Sequence, residues 1–86
     1  MTRQDWLLVR FLSKPCDFRF AELKKLLQGF GYREVKAGKT SGSRVAFFHE
    51  KAGHIIRLHR PHSQESLKRY QLDLIEEELK NQEIIK

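Results

Sequence analysis

The sequence predicts an α+β fold in the order α-α-β-β-β-α, with the helices on one face of a three-stranded antiparallel sheet. Apolar residues recur at helical spacing near both ends of the chain, whereas apolar and polar residues alternate in its middle. Gly, Pro and Ser cluster between these segments. We expect a single domain over residues 1–86, made of a helical extension at 1–16 and an α-β-β-β-α core at 17–81.

The first helix is predicted over residues 2–13. Thr2 is a suitable N-cap, and Asp5 stands three residues later, where it can complete a capping box. Lys14 and Pro15 end this helix, because the residue before a proline disfavours the helical conformation.

The second helix is predicted over residues 19–29, with Asp17 as a candidate cap. Gly29 and Gly31 should end it. Its core-facing side chains share helical spacing and are Phe20, Leu23, Leu26 and Leu27.

A strand at residues 32–36, a loop at 37–43 and a hairpin are predicted next. A turn centred on Lys51 and Ala52 pairs His49 with His54, and it continues the pairing out to Arg44 opposite His59. Alternation then sends four apolar side chains inward, namely Val45, Phe47, Ile56 and Leu58. It sends Arg44, Arg57 and His59 outward. A three-residue turn would instead set Arg57 beside Val45 and Phe47, which is unfavourable for an unpaired guanidinium.

The last helix is predicted over residues 64–81, after Pro61 and with Ser63 as its cap. It carries two apolar seams, one of Leu67, Tyr70 and Leu74 and the other of Leu72, Ile75 and Leu79. One seam should pack on the sheet, and the other should cover the first helix or bind a partner.

Composition limits the classes of function. The net charge is +6, and residues 32–62 carry seven Lys or Arg against two Asp or Glu. A basic centre of this kind favours a polyanionic partner such as RNA. The single Cys16 excludes an internal disulfide and fits a reducing, cytoplasmic compartment. No apolar run approaches the ~20 residues that span a bilayer, so no membrane association is expected.

The basic loop contains Lys39, Gly42 and Ser43. A nucleotide-binding P-loop is disfavoured, because it needs a glycine where Arg33 stands and a helix where a strand follows. The loop N–H groups and Lys39 are candidate phosphate contacts. A solvated connection would explain the same composition.

His59 and His62 are the candidate base and acid for cleavage of RNA through its ribose 2′-hydroxyl. Three arginines nearby can stabilise the charge on the phosphate, namely Arg44, Arg57 and Arg60. Phosphate binding without chemistry explains these residues equally well. The four histidines match no tight metal-ligand spacing, so neither a metal nor another cofactor is expected.

Phe48 and Ile55 share the outward face of the predicted hairpin. They could stack a base or contact a partner protein. The chain termini could also cover them.

Residues 19–80 resemble the HicA family of toxins from bacterial toxin–antitoxin systems. The resemblance rests on the helix at 20–27, the Gly31-Tyr32 step into a strand, the Gly42-Ser43 pair before the second strand, and the Leu-His-Arg-Pro-His corner at 58–62. It implies a double-stranded-RNA-binding-domain-like fold and an endoribonuclease that acts on messenger RNA. It also implies a HicB-type antitoxin that blocks the site, with the toxin monomeric when free and hetero-oligomeric with its antitoxin.

The usual family motif is Gly-Ser-His, with a catalytic histidine, whereas this chain has Arg44 after Gly42 and Ser43. Arginine is the better phosphate clamp, so RNA binding should persist. The first hypothesis is therefore a metal-independent toxin that cleaves messenger RNA, with catalytic residues His59, His62 and Arg44. Its predicted RNA-binding residues are Lys39, Gly42, Ser43, Arg44, Arg57 and Arg60. The second hypothesis is a non-catalytic module of the same fold that binds RNA or the antitoxin.

Overall fold

The computed structural model describes residues 2–35, 44–61 and 66–85. These ranges contain the helices α1 (Arg3–Leu12), α2 (Phe20–Gly29) and α3 (Arg69–Asn81), and the strands β1 (Tyr32–Val35), β2 (Arg44–His49) and β3 (His54–His59). The strands form an antiparallel sheet in the order β1-β2-β3. The predicted α+β class and the element order are confirmed.

The N-terminus of α1 has the predicted capping box. The Thr2 hydroxyl accepts the N–H of Asp5 at 3.1 Å, and the Asp5 carboxylate accepts the N–H of Thr2 at 3.3 Å. Two otherwise unpaired N–H groups of the first turn are satisfied in this way. Lys14 follows the helix with a φ of +53°, so the chain turns away there, as expected from Lys14-Pro15.

The prediction that Asp17 caps α2 is wrong. Asp17 pairs with Arg10 at 3.0 Å, and the helix begins at Phe20, where the Glu22 carboxylate accepts the N–H of Arg19 at 3.1 Å. Glu22, in the first turn of α2, thus has the capping role that was predicted for Asp17.

Helix α2 ends at Gly29, as predicted. A Cβ atom at Gly29 would collide with the Gln4 side chain, whose amide donates to the carbonyl of Leu26 at 3.0 Å. The absence of a side chain at Gly29 therefore leaves room for the Gln4 side chain that bonds α1 to α2. Gly31, with a φ of +102°, supplies the turn that α2 needs to connect to β1.

The hairpin register agrees with the prediction pair by pair, from His49 opposite His54 to Arg44 opposite His59. Phe47 is fully buried, Ile56 is 3 % exposed, and Val45 and Leu58 pack against the core. The outward side chains Arg44, Arg57 and His59 are exposed. Side chains of a strand alternate between the two faces, so a one-residue shift of the pairing would expose all four inward apolar side chains. This cost explains why the hairpin adopts the predicted register.

The prediction that the last helix begins at residue 64 is wrong. Residues 66–68 are not helical, and α3 begins at Arg69. The N–H of Leu67 donates to the carbonyl of Phe18 at 2.8 Å, and the Leu67 side chain is 2 % exposed. This contact holds the segment against the turn before α2. Gln71 accepts the N–H of Lys68 at 2.9 Å and caps the helix, whereas the predicted cap Ser63 lies outside the described residues.

The two seams of the last helix differ in burial. Leu72, Ile75 and Leu79 lie in the core, whereas Tyr70 and Leu74 are 60 % and 56 % exposed. The seam of Leu72, Ile75 and Leu79 therefore lies in the core, whereas only Leu67 of the other seam does.

The described helices cover one face of the sheet. From α2, the Phe20 ring lies 5.9 Å from that of Phe47, and from α3, Glu78 bonds to His54. Both contacts are on the face that carries Ile56. Across the described ranges, no helix combines the length and the apolar character that crossing a membrane requires.

Candidate nucleic-acid interface

The second face of the sheet, which we call the open face, lies opposite the face that α2 and α3 contact through Phe20 and Glu78. Alternation and register assign to it Arg33, Val35, Arg44, Ala46, Phe48, Ile55, Arg57 and His59. It therefore carries three arginines, one histidine and no acidic residue. A surface of this composition attracts anions.

The structure brings together three of the predicted site residues. Arg44 is the first residue of β2 and stands directly opposite His59, the last residue of β3. Arg57 stands opposite Ala46, two positions from Arg44, which places it about 7 Å away diagonally across the strands. The Gln71 amide donates to the His59 carbonyl at 3.1 Å and ties this end of β3 to α3.

The positive charge of the open face is not neutralised within the described part of the chain. The carboxylates found there pair with other basic side chains, namely Arg10, Lys14, Lys24, His54, Arg69 and Lys80. In the same residue ranges, no carboxylate pairs with Arg33, Arg44 or Arg57. These three guanidinium groups are thus available to a polyanion at little desolvation or competition cost.

Sequence reasoning missed Arg33. Its guanidinium lies 5.8 Å from the centroid of the Phe48 ring, on the strand next to it. Alternation from the buried Tyr32 could have placed Arg33 outward, but the neighbour of β1 is not visible in the local sequence. Phe48 itself is half-buried, and Ile55 beside it is 38 % exposed.

The structure sets Arg60 apart from the other predicted RNA-binding arginines. Its guanidinium lies 5.0 Å over the ring of Phe20, on the helix side of the sheet. Arg60 directly follows His59 but lies on the other side of the sheet from Arg44 and Arg57, and its role in RNA binding stays a prediction. The remaining predicted residues, Lys39, Gly42, Ser43 and His62, lie outside the described residues.

The two histidines at the turn end of the hairpin bond within the protein. His54 bonds to Glu78 through Nε2 and to the Tyr32 hydroxyl through Nδ1, the latter at 2.8 Å. Because a carboxylate only accepts, Nε2 carries a proton, and a neutral His54 accepts the Tyr32 O–H. Burial, followed by the charge of Glu78, raises the pKa of Tyr32 to about 12. This chain of bonds links β1, β3 and α3.

His49 has a similar structural role. The N–H of Ala52 donates to its Nδ1 at 3.1 Å, so Nε2 carries the proton and donates to the Phe30 carbonyl at 3.0 Å. Among the residues that the structure describes, no three His, Cys, Asp or Glu side chains gather in a way that could hold a metal ion.

Comparison with known proteins found one family. The model of the family described as HicA toxin of bacterial toxin-antitoxin matches residues 20–82, which include α2, the whole sheet and α3. No curated protein and no solved structure gave a significant match. Helix α1 precedes the matched region.

Proposed function

The chain belongs to the HicA toxin family of toxin–antitoxin systems, and from this premise we propose that it binds and cleaves messenger RNA without a metal. A HicB-type antitoxin neutralises it in this proposal. The free toxin is a monomer that forms a hetero-oligomer with the antitoxin. The family match establishes the toxin–antitoxin class, and the geometry of the open face supports the RNA chemistry.

The observation that carries the proposal is the meeting of Arg44, Arg57 and His59 at one end of the open face. Two guanidinium groups there can hold a phosphate, because arginine donates several N–H groups in a fixed fork. The imidazole of His59 next to them is a group that can take up or release a proton.

In the proposed reaction, neutral His59 removes the proton from a ribose 2′-hydroxyl. The 2′-oxygen then forms a bond to the adjacent phosphorus, and the bond from phosphorus to the 5′-oxygen breaks. The leaving 5′-oxygen takes a proton from an acid, for which His62 is the candidate from the sequence. Arg44 and Arg57 stabilise the extra negative charge on the phosphate during this step. The products are a 2′,3′-cyclic phosphate and a 5′-hydroxyl.

A second candidate function has a specific observation in its favour. Arg44 occupies the position of the histidine in the family's usual Gly-Ser-His motif, as the resemblance implies. An arginine stays protonated at neutral pH and cannot act as a base there. A protein that binds RNA, or its antitoxin, without cutting RNA would have the same open face.

RNA cleavage in the presence of a chelator distinguishes the two candidates. Purified protein is incubated with mixed cellular RNA and excess EDTA, and the products are examined for 2′,3′-cyclic phosphate ends. The proposal expects fragments with such ends from the wild type and from Lys25→Ala, an exposed α2 control. Intact RNA at high protein concentration would refute cleavage, and binding that weakens with salt would then support the second candidate.

The antitoxin requires its own experiment. The toxin is co-expressed with the product of an adjacent gene, and the complex is analysed by size-exclusion chromatography with light scattering. We expect a hetero-oligomer in which an acidic surface of the antitoxin covers the open face and abolishes RNA cleavage. The toxin alone should run as a monomer. A toxin that remains uninhibited and unbound would contradict this part of the proposal.

A further inference from the structure

We propose that Arg33 and Phe48 form a stacking site for one base of a single-stranded RNA, so that the toxin selects unpaired RNA. This inference rests on the proposed function and adds to it the strandedness of the substrate. It concerns a part of the open face that lies away from the predicted catalytic end.

The stacking site is centred on β2, the middle strand of the sheet. Phe48 lies on β2, directly between Arg33 on β1 and Ile55 on β3. The Arg33 guanidinium lies 5.8 Å from the centroid of the Phe48 ring, and Ile55 is 38 % exposed on the other flank. An aromatic ring and an arginine plane are the two kinds of surface on which proteins stack unpaired bases.

Arg33 can move to admit a base. Within the described residues, no carboxylate holds its guanidinium, and its side chain is exposed. A base that enters between the Arg33 guanidinium and the Phe48 ring stacks with one face on the ring and with the other face on the guanidinium. The contact of Arg33 with Phe48 is therefore exchanged for two stacking contacts, at the cost of moving one long side chain.

The basic residues of the same face continue in the direction of the predicted catalytic end. Successive rows of the open face are about 7 Å apart along the strands. The row with Phe48 is followed by the row with Arg57, and then by the row with Arg44 and His59. A strand whose base stacks on Phe48 can thus place its next phosphates at Arg57 and Arg44.

This arrangement favours a single strand over a duplex. In a duplex the faces of the bases are stacked on each other and cannot reach Phe48, and duplex RNA is recognised mainly through phosphates and 2′-hydroxyls. An aromatic ring beside basic rows would add little to such binding. A single strand can stack one base on Phe48 and place its next phosphates at Arg57 and Arg44, which matches the order of the rows.

The test compares RNA of one sequence in two forms. The probe is a fluorescein-labelled 12-nucleotide RNA with 2′-O-methyl riboses, which prevents cleavage, used alone or annealed to its complement. Fluorescence anisotropy measures the affinities of the wild type and the variants. We expect the single strand to bind at least about ten-fold more tightly than the duplex, since stacking of one base is commonly worth this factor or more.

The variants separate stacking from charge and from folding. Phe48→Leu keeps an apolar side chain and should lower the affinity for the single strand about ten-fold, with little change for the duplex. Phe48→Tyr should retain the affinity. Arg33→Ala, at an exposed position, should weaken single-strand binding more than Lys25→Ala does. A 2-aminopurine base in the probe should lose fluorescence on binding to the wild type and lose less on binding to Phe48→Leu.

Equal affinity for both RNA forms, or unchanged single-strand binding by Phe48→Leu and Arg33→Ala, would overturn the stacking site. Salt-dependent RNA binding in that case would leave the proposed function standing. If the two variants weakened binding of the antitoxin alone, Phe48 would be a protein contact, and the stacking site would again be refuted. Failure to bind either RNA form would refute both proposals.

Discussion

Strand geometry determines the direction of every side chain on the open face. Arg44 and His59 are cross-strand partners, so their side chains leave the sheet on the same side and at the same level. Their roles in the proposed reaction differ, because arginine supplies only positive charge and N–H donors, whereas histidine can transfer a proton. Substitution should therefore separate the two residues by their effects.

His59→Ala should abolish RNA cleavage and leave RNA affinity almost unchanged, because the proton acceptor is lost but the phosphate contacts remain. Arg44→Ala should weaken both, since a well-placed donor is worth ~3 kcal/mol in a transition state, or about a hundred-fold in rate. Cleavage of labelled RNA and anisotropy measure the two quantities, with Lys25→Ala as control. Full activity of His59→Ala would contradict its role and transfer the proposal to His62.

Tyr32 provides a test of the bond network with His54 and Glu78. Burial raises its pKa to about 12 from 10.0, so the folded protein holds the proton where the unfolded chain releases it. Its contribution to stability is therefore complete below pH 10 and is lost as the pH rises towards 12. In Tyr70→Phe, absorbance at 295 nm should report the ionisation of Tyr32 near pH 12. Ionisation near pH 10 would show that Tyr32 is not buried in this network.

At the scale of elements, the hairpin is the part of the structure on which the site depends. Its two faces separate an apolar set from a basic set, and neighbouring residues on β3 demonstrate the separation. Ile56 is 3 % exposed in the core, whereas Ile55 is 38 % exposed on the open face. The two residues have the same side chain and are neighbours on β3, so they form a matched pair that differs in burial.

Ile56→Ala should lower the free energy of unfolding by about 2–5 kcal/mol, because it removes buried methyl groups and leaves a cavity. Ile55→Ala should cost less than about 1 kcal/mol, since its side chain is partly solvated. Urea unfolding followed by circular dichroism measures both. Equal losses, or a larger loss for Ile55→Ala, would show that the register places the wrong face inward.

The helices show where local signals decide and where packing decides. Thr2 and Asp5 form a box that needs no other part of the chain, and α1 begins where they predict. The start of α3 depends on Leu67 bonding to Phe18, 49 positions earlier in the sequence. The local sequence near residue 64 does not reveal this bond. The helical periodicity therefore predicted a start for α3 that is too early in the chain.

At the scale of the whole molecule, charge is distributed unevenly between the two sides of the sheet. The ionised carboxylates of the described residues pair mainly with cations of the helical layer, for example Glu22 with Arg10 and Glu76 with Lys14. The arginines of the open face are left unpaired by carboxylates within those ranges. Because the carboxylates pair with cations of the helical layer, the open face is left electropositive.

Acid should destabilise the protein through these carboxylates. Hydrogen bonding to Arg10 lowers the pKa of Glu22, and bonding to Lys14 and Lys80 lowers that of Glu76, both from 4.5. The folded carboxyl groups stay ionised at a pH where unfolded ones are protonated. Their stabilisation is therefore present above pH 4.5 and is lost as the pH falls through the lower, folded pKa values.

The double variant Glu22→Gln and Glu76→Gln should be less stable than the wild type at pH 7 but should lose less stability between pH 7 and pH 3. Glutamine at 22 retains an oxygen that can accept the N–H of Arg19, so the change tests charge rather than capping. Urea unfolding at several pH values measures the dependence, with exposed Glu77→Gln as control. An unchanged pH dependence would contradict the assignment to these two carboxylates.

The site itself was predictable only in part. Arg44, Arg57 and His59 could be placed on one face from the sequence, because a hairpin joins adjacent strands and its turn sets the register. Arg33 could not, since its contact with Phe48 depends on β1 pairing with β2 across the intervening residues 36–43. Arg60 was predicted only to lie near the three hairpin residues, and its position over the Phe20 ring depends on packing against α2.

The sequence alone determined the order of the elements, the cap of α1, the register of the hairpin and the basic character of its outward face. Each of these depends on residues close together in the chain, where spacing and residue type specify the backbone. The tertiary structure decided the start of α3, the place of Gly29 against α1, and the pairing of Arg33 with Phe48. Each of those depends on a contact between segments that are distant in the chain, which local spacing and residue type do not encode.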